Sequence, residues 1–451
     1  METKTKIWVS FFGMRKGEPG WPNIDFDPEK RKEELLQTLK ENCENIEFVG
    51  GEMILDFEEL RKVEQKKDID GILVFTLATR PAGLVSWCLR KQELSEFRNY
   101  PMIIAADLFG GEEMLLDFYS VAQANSLPVI AVMSSDLTEV KSALHLFETI
   151  HHVKGSKILN LTDGKDPDGQ SGWWGRNYEG YLTQLKELLG MEVVTIGSKQ
   201  INQYYKVADE KSARQLASQW ISKAVKVIEP SKEEIVKSGR MYLVIKKLME
   251  EREASTVTMD CLGLYYDKKL PAYPCLAFMQ LNNEGFTGIC ESDMEATVTQ
   301  LLMRELTGLP GFVSDPVLDT SAGQIIYAHC TAPTKLFGQD GPVAPYIIRS
   351  HAEDRKSACP QVIMPVGKPI TTVKISLREK KISLHQGKSV GNVNNERGCR
   401  TKLVAEANVE RIMENYKFGT FGWHRVSFYG DFAREVRQLS KLLGLQVVEE
   451  S

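Results

Sequence analysis

The alternation of short apolar runs with helical stretches is the feature of this sequence that most limits its fold. Within residues 1–150, segments 28–39 and 112–124 carry apolar residues at helical spacing between β-rich runs. Strands that alternate with helices need crossover connections, which produce a parallel sheet covered on both faces. We therefore predict an α/β domain, with strands at 6–12, 45–50, 71–77, 101–107 and 128–134.

A second α/β segment begins near Lys157, and the pattern changes again after about residue 312. The second segment is predicted to contain a helix at 178–189, a strand at 191–197, helix to about residue 251, and strands at 254–262 and 275–281. Residues 371–385 then alternate apolar and polar residues around a charged turn, which is typical of antiparallel hairpins. The chain closes with a predicted helix and strand.

The length agrees with three domains. A chain of 451 residues exceeds one compact core, and about 150 residues per domain gives roughly three. We place an α/β domain at 1–153, a second at 154–312, and a β-rich, barrel-like domain at 313–451.

Composition excludes several classes of function. The 56 Lys and Arg nearly balance the 61 Asp and Glu, for a net charge of -5, which argues against a nucleic-acid binder. The apolar run at 7–13 is too short for a signal peptide or a membrane span. The 8 cysteines contain no C-x-x-C pair, so we expect reduced thiols in a cytoplasmic protein. Neither a dinucleotide fingerprint nor a P-loop is present, so no nucleotide cofactor is expected.

The segment from Gly288 to Asp319 contains a candidate site. Ser292 and Glu295 have the spacing of a capping box, and Gly308 then ends the apolar stripe of a helix. This places Glu291 at the end of a strand, just outside a helix N-terminus, where the helix dipole favours an anion. Loops at such strand ends are where α/β proteins build their sites.

Geometry brings a second carboxylate to the same place. A helix over 294–307 runs about 21 Å at about 1.5 Å per residue. The roughly seven extended steps from Gly308 to Asp315 return about 23 Å, so Asp315 can lie beside Glu291. Two adjacent carboxylates repel unless a cation, most simply a divalent metal, separates them. The alternative is structural: Glu291 is a solvated capping residue and Asp315 caps a turn ahead of Pro316.

Three histidines are candidate ligands for such a metal. His424 lies between a glycine-rich turn and a β-rich run, His329 ends the apolar run 324–330, and His351 lies in a polar loop. Each of them also has a purely structural interpretation. An imidazole with two carboxylates suits Mn²⁺ or Mg²⁺ better than a structural zinc site, which would use cysteines.

These residues resemble the metal-binding segments of L-fucose isomerases and the wider fucose/arabinose isomerase-like family. In fucose isomerases the ligands are a Glu, an Asp 24 positions later with L-T-G between them, and a His near the C-terminus. Here 315 minus 291 is also 24, with L-T-G at 306–308. The closing segment WHRVSFYGDFAREVRQLSKLLGLQVV places His424 on the third ligand position, and His329 matches a ligand of the related arabinose isomerases.

The chain also departs from this family. It is much shorter than the long fucose isomerases. It has Trp423 before His424 where they tend to have His-His, and Gly430-Asp431 where they tend to have Gly-His. These differences affect the expected sugar specificity more than the expected metal site.

The resemblance implies a fold and an activity. The fold is two Rossmann-like parallel-sheet domains followed by a β-rich domain. The activity is isomerisation of an aldose to a ketose through a cis-enediol, on a pentose, hexose or 6-deoxyhexose. Glu291 and Asp315 would serve as acid and base, and would bind Mn²⁺, or Mg²⁺ or Co²⁺, with His424 and with His329 as a further candidate. It also implies a homo-oligomer, a trimer or hexamer, with its site between subunits.

Sugar hydroxyls call for polar groups and aromatic faces. Candidate substrate contacts are Arg15, Trp21, Trp87, Trp173 and Gln280, although Trp173 could equally pack at a helix start. Two other interpretations stay open: a non-catalytic or regulatory carbohydrate-binding homologue, and a metal-dependent lyase or aldolase on the same fold.

Overall fold

The computed structural model describes residues 3–55, 68–79, 100–164 and 178–451. The chain divides into two compact units. The first comprises Met1–His152 with Glu435–Gln446, and the second comprises Val153–Arg434 with Val447–Ser451. The three-domain division predicted from the sequence stays a prediction. Among the described residues, no helix combines the length and the apolar character needed to cross a membrane.

The first unit is built on a five-stranded sheet in the order β2-β1-β3-β4-β5. Every neighbouring pair is parallel, as the alternation of strands and helices predicts. Strands β3 and β4 are buried along their whole length, as expected for inner strands of a parallel sheet. The strands are β1 (Thr5–Phe12), β2 (Ile46–Ile54), β3 (Gly71–Thr76), β4 (Met102–Ala106) and β5 (Val129–Met133), and the described helices are α1 (Pro28–Asn42), α2 (Glu112–Ala124) and α3 (Leu137–Val153).

The second unit begins with another parallel sheet. Its strands are β6 (Lys157–Leu161), β7 (Glu192–Ile196), β9 (Thr256–Met259) and β10 (Thr287–Cys290), while β8 (Lys226–Val227) belongs to a separate small sheet. The order β10-β9-β6-β7 is parallel throughout. The helices are α4 (Tyr178–Leu189), α5 (Ser198–Val207), α6 (Glu210–Lys223), α7 (Lys232–Arg252), α8 (Cys261–Tyr266), α9 (Cys275–Asn283) and α10 (Met294–Thr307).

One strand prediction in this segment is wrong. Residues 275–281 form part of helix α9 rather than a strand. The run is buried on nearly all sides, so it lacks the apolar stripe that separates a helix from a buried strand in sequence.

The C-terminal region contains a closed antiparallel barrel. Six strands follow the order β15-β18-β11-β12-β17-β16, and a β15–β16 pairing closes the ring. The predicted β-rich, barrel-like architecture is therefore confirmed. The strands are β11 (Phe312–Asp319), β12 (Gln324–His329), β13 (Tyr346–Arg349), β14 (Cys359–Val362), β15 (Pro369–Ser376), β16 (Lys381–Asn392), β17 (Thr401–Glu406), β18 (Arg425–Tyr429) and β19 (Gln446–Glu449), and the helices are α11 (Val409–Asn415), α12 (Phe418–Phe421) and α13 (Ala433–Leu442).

A buried polar network ties the end of the chain to this barrel. The guanidinium of Arg425 donates to Glu450 Oε1 at 2.6 Å, and both residues are 0% exposed. The same guanidinium donates to the carbonyl oxygens of Gly422 and His424, at 3.1 and 3.0 Å. His385 Nδ1 donates to Glu450 Oε2 at 2.8 Å. The network therefore fixes the backbone on both sides of His424.

Removing the Glu450 charge should destabilise the protein. Glu450→Gln leaves the Arg425 guanidinium buried without its counter-ion, which costs about 3–5 kcal/mol in comparable pairs. We expect that loss in the free energy of unfolding at neutral pH, measured by urea denaturation. The exposed residue Glu414 on α11 provides the control, and Glu414→Gln should leave the urea midpoint unchanged.

The same variant should change the response to acid. Burial alone would raise the pKa of Glu450, but Arg425 and His385 lower it from 4.5 to about 2. The folded state thus gains stability from this carboxylate above pH 4.5 and loses it as the pH falls towards 2. The stability difference between the wild type and Glu450→Gln should shrink over that window. A constant difference would contradict this assignment.

Candidate functional site

Glu291 lies at the end of a parallel strand in a strained conformation. Strand β10 ends at Cys290, and Glu291 and Ser292 follow with φ angles of 66° and 48°. Left-handed backbone is uncommon for residues other than glycine, and it concentrates at functional sites. The turn is held because Ser292 N donates to the Met259 carbonyl at 2.9 Å and Ser292 Oγ to Asn160 Oδ1 at 2.8 Å.

The predicted capping box is not formed. Asp293, not Ser292, caps helix α10, and its Oδ1 accepts from Ala296 N at 2.7 Å. Ser292 is unavailable because Asn160 holds its hydroxyl. Glu295 is instead buried, and burial raises its pKa to about 8 although Lys374 lies close to it. The helix bounds Met294–Thr307 agree with the predicted helix.

The barrel register brings the remaining residues of the site together. In the antiparallel pairs, Asp315 lies opposite Ala328, the residue before His329. Ser314, the residue before Asp315, lies opposite Arg425, the residue after His424. The three side chains therefore come from neighbouring strands at one end of the barrel, as the predicted return of the chain to Glu291 requires.

The four predicted residues form one cluster. His424 Nε2 lies 3.3 Å from Asp315 Oδ1 and 3.7 Å from Glu291 Oε2. His329 Nε2 lies 3.6 Å from Glu291 Oε1, and the two imidazole rings meet edge to face with centroids 5.5 Å apart. The Glu291 side chain keeps 35% of its exposure, so the cluster opens to solvent on the side of this carboxylate.

His424 is the most strongly held of these groups. Its Nδ1 donates to Asp293 Oδ2 at 2.9 Å, and that same oxygen accepts from Lys374 Nζ. Burial would lower the pKa of His424, but Glu291, Asp293 and Asp315 raise it to about 10. The imidazole is therefore protonated at neutral pH. Burial would raise the pKa of Glu291, yet His424 and His329 hold it below its ordinary value.

His329 is held differently. Its Nδ1 accepts from the Thr331 backbone N–H at 3.2 Å. A neutral ring in this orientation carries its proton on Nε2. That Nε2 is buried and has no hydrogen-bond partner among the described residues. A metal at this atom would require the proton to leave or the ring to turn, and the protonated His424 would likewise have to lose its Nε2 proton.

The cluster fits a divalent ion. Single ligand atoms of Glu291, His329 and His424 all lie within 4.8 Å of one another, close enough to surround one cation. The orphaned Nε2 of His329 is also consistent with a missing partner at this point. Oxygen and imidazole ligands are common to Mn²⁺, Mg²⁺ and Zn²⁺ sites, so the donor set leaves the identity of the metal open.

The predicted substrate contacts belong to different parts of the chain. Gln280 accepts from Trp220 Nε1 at 3.0 Å and donates to Glu284 Oε1 at 2.6 Å, so both ends of its amide are engaged by protein. Arg15 and the half-exposed Trp21 belong to the first unit. Trp87 and Trp173 lie outside the described residues. Substrate binding by all five residues stays a prediction.

Sequence reasoning missed three residues that contact this cluster. Asp293 and Lys374 lie behind His424, and Cys399 Sγ donates to Asp315 Oδ2 at 3.8 Å. Asp293 had a local signal, since Asp directly before a helix is a preferred cap. His351, a candidate ligand, instead stacks on Tyr273 with ring centroids 4.2 Å apart.

The chain is similar to known sugar isomerases over part of its length, and no protein-family model matches it. It is 28% identical over 102 residues to the sulfoquinovose isomerase of Priestia aryabhattai. The aligned segment covers 22% of this chain and 23% of that protein. It is 27% identical over 183 residues to the sulfoquinovose isomerase of Clostridium sp. (strain MSTE9). That aligned segment covers 38% of this chain and 39% of that protein. The chain therefore matches well under half the length of these relatives. Fucose or arabinose isomerase membership in particular stays a prediction.

Metal affinity at this site should rise with pH. Because His424 has a pKa raised to about 10, ligation through Nε2 must release one proton at neutral pH. The apparent affinity for Mn²⁺ should therefore increase about tenfold per pH unit between about pH 6.5 and 8.5. Isothermal titration in buffers of different ionisation enthalpy measures both the affinity and the proton released.

Two variants check this assignment. His424→Gln should remove both the strong binding and its pH dependence. His329→Gln should weaken binding less and keep the pH dependence, because the released proton comes from His424. Affinity of the unmodified protein that does not change with pH would show that His424 is not a ligand.

Proposed function

We propose that this protein is a metal-dependent aldose–ketose isomerase that works by cis-enediol proton transfer. One observation carries the proposal: the carboxylates of Glu291 and Asp315 both lie within 3.7 Å of His424 Nε2. A second histidine, His329, completes a group that can hold a metal. The partial similarity to sulfoquinovose isomerases supports a sugar as the substrate.

The proposed reaction needs one acid/base group at carbon and one at oxygen. One carboxylate removes the proton from C2 of the open-chain aldose, and the C2–H electron pair forms the C1=C2 bond as O1 takes up a proton. The enediol then receives the proton at C1 while O2 loses its own. A bound divalent metal supplies stabilisation of the negative charge that develops on O1 and O2. The roles of Glu291 and Asp315 are left interchangeable.

The surroundings of the two carboxylates suit this work. His424 holds Glu291 ionised, because it keeps the pKa of that carboxyl below its ordinary value against the effect of burial. A base must be ionised before it can accept the C2 proton. Glu291 is also partly exposed, so a sugar can reach it from solvent.

The substrate is proposed as an aldose with a free C1 aldehyde. Sulfoquinovose is a first candidate because it is named for the relatives, beside pentoses, hexoses and 6-deoxyhexoses. We also propose a homo-oligomer with its site between subunits. Light scattering after gel filtration would measure the number of subunits.

Glu291→Gln should abolish turnover without unfolding the protein. The amide keeps the shape of the side chain but cannot accept a proton, and loss of an acid/base group costs about 10²- to 10⁴-fold in rate. The measurement incubates purified protein and Mn²⁺, Mg²⁺ or Co²⁺ with a panel of these aldoses and assays ketose before and after chelation. Glu414→Gln serves as the control and should keep full activity.

Each outcome of the panel decides between functions. Ketose from at least one sugar, lost on chelation and in Glu291→Gln, supports the proposal. Sugar binding without ketose favours a carbohydrate-binding protein, and shorter products favour a lyase or aldolase. Activity of Glu291→Gln close to that of the wild type would remove Glu291 from the mechanism.

Solvent isotope distinguishes proton transfer from hydride shift. In heavy water, an enediol exchanges its carbon-bound proton through the carboxylate, so the ketose should carry deuterium at C1. A hydride shift retains the substrate hydrogen and leaves C1 unlabelled. Proton NMR of the ketose at low conversion measures the label, and a product without deuterium would favour the hydride shift.

A further inference from the structure

We infer that Asp293 and Lys374 are positioning residues, which fix the His424 imidazole so that Nδ1 is bound and Nε2 faces Glu291 and Asp315. Asp293 binds the Nδ1 side of the ring and Lys374 binds Asp293, so both act through His424. The inference deepens the proposed function. Only the measurement of ketose formation depends on that function being correct.

Asp293 is held more firmly than an ordinary acidic side chain. Its Oδ1 accepts from Ala296 N at 2.7 Å as the cap of the 14-residue helix α10. Its Oδ2 accepts from His424 Nδ1 at 2.9 Å and from Lys374 Nζ. The carboxylate therefore cannot rotate towards another partner without losing the helix cap. Its hydrogen bond therefore also restricts rotation of the His424 imidazole.

The left-handed turn explains how two nearby carboxylates reach both nitrogens of one ring. Glu291 and Asp293 are two positions apart, and an extended chain would point both side chains to one face, whereas a helix would splay them apart. With positive φ at Glu291 and Ser292, Glu291 approaches Nε2 at 3.7 Å while Asp293 bonds Nδ1 at 2.9 Å. The strained turn thus sets the orientation of the ring.

Lys374 supplies the charge that keeps this arrangement together. Its side chain is 2% exposed, and those of Asp293 and His424 are 10% and 11% exposed. An unpaired buried charge is costly, so a lysine on a barrel strand next to this carboxylate balances it. If a metal were bound at His424 Nε2, Lys374 would remain as the counter-ion of Asp293.

His329 provides a comparison within the same site. Its Nδ1 accepts from a backbone N–H rather than donating to a carboxylate. Carboxylates that bind the free nitrogen of a ligating histidine fix its tautomer and raise its basicity, and their loss typically weakens metal binding about 10- to 100-fold. We expect that effect for His424 and not for His329.

The decisive variant is Asp293→Asn. Asparagine caps helices as well as aspartate, so the fold should survive while the charged acceptor at Nδ1 is lost. We expect Mn²⁺ affinity to fall about 10- to 100-fold by calorimetry. The melting temperature without metal should also fall, because the buried Lys374 loses its counter-ion, so the titration is run well below that temperature. Lys374→Met should weaken Mn²⁺ binding in the same direction, and Lys374→Arg should restore part of it.

A matched variant isolates the helix cap. Asp209 caps the 14-residue helix α6, accepting from Ser212 N at 2.7 Å. Asp209→Asn should change neither Mn²⁺ affinity nor the spectrum described next. Equal effects of the two Asp→Asn variants would mean that capping alone explains the result.

Histidine NMR gives a readout that a merely structural role would not change. With ¹⁵N-labelled histidine and Mg²⁺, the wild type should show a strongly downfield Nδ1 proton that is absent in His424→Gln. In Asp293→Asn this proton should move upfield. A spectrum and Mn²⁺ affinity like those of the wild type would overturn the inference.

The outcomes keep the two claims apart. If the wild type makes no ketose but Asp293→Asn changes the His424 signal and weakens Mn²⁺ binding, the positioning role stands and the proposed function falls. If the wild type makes ketose, and Asp293→Asn binds Mn²⁺ and turns over the sugar normally, the proposed function stands and the positioning role falls.

Discussion

The site depends on the balance of charge around one buried imidazole. Carboxylates of Glu291, Asp293 and Asp315 face His424, and the ammonium group of Lys374 lies against one of them. Such carboxylates repel one another unless positive charge separates them. Lys374 and a protonated His424 leave one negative charge in excess, whereas Lys374 and a divalent ion in place of the Nε2 proton cancel all three. The cluster is therefore electrically matched to a divalent cation.

Two kinds of backbone hold this charge balance in place. The parallel sheet ends at Cys290 and delivers Glu291, while the antiparallel barrel delivers Asp315, His329 and His424 through the register of adjacent strands. A slip of one residue in an antiparallel pair would turn a side chain to the opposite face. Because the ring of strands closes on itself, a slip in one pair would disturb every other pair. Closure of the barrel is thus a condition for the site.

Sequence reasoning reaches what local pattern and chain length determine. The helix Met294–Thr307 follows from an apolar stripe and its glycine stop, and the return of Asp315 follows from arithmetic on that helix. It does not predict features that depend on tertiary contacts. Ser292 and Asp293 are equally good caps, and a hydrogen bond to a distant residue decides between them. Lys374 lies 81 positions from Asp293, and nothing in an alternating strand marks its one buried lysine as the counter-ion of a carboxylate.

In the proposed reaction, the cluster acts on the part of the substrate that all aldoses share. Enediol chemistry involves C1, C2 and their oxygens, so under this proposal the same carboxylates and histidines would serve a pentose, a hexose or a hexose altered at C6. Selectivity must come from groups that reach the far end of the sugar, where an anionic substituent needs a cationic partner and a methyl group needs an apolar one. Among the predicted contacts, Arg15 offers the first and Trp21 the second. A role for Arg15 therefore argues for an anionic sugar, whereas a role for Trp21 alone is compatible with any of them.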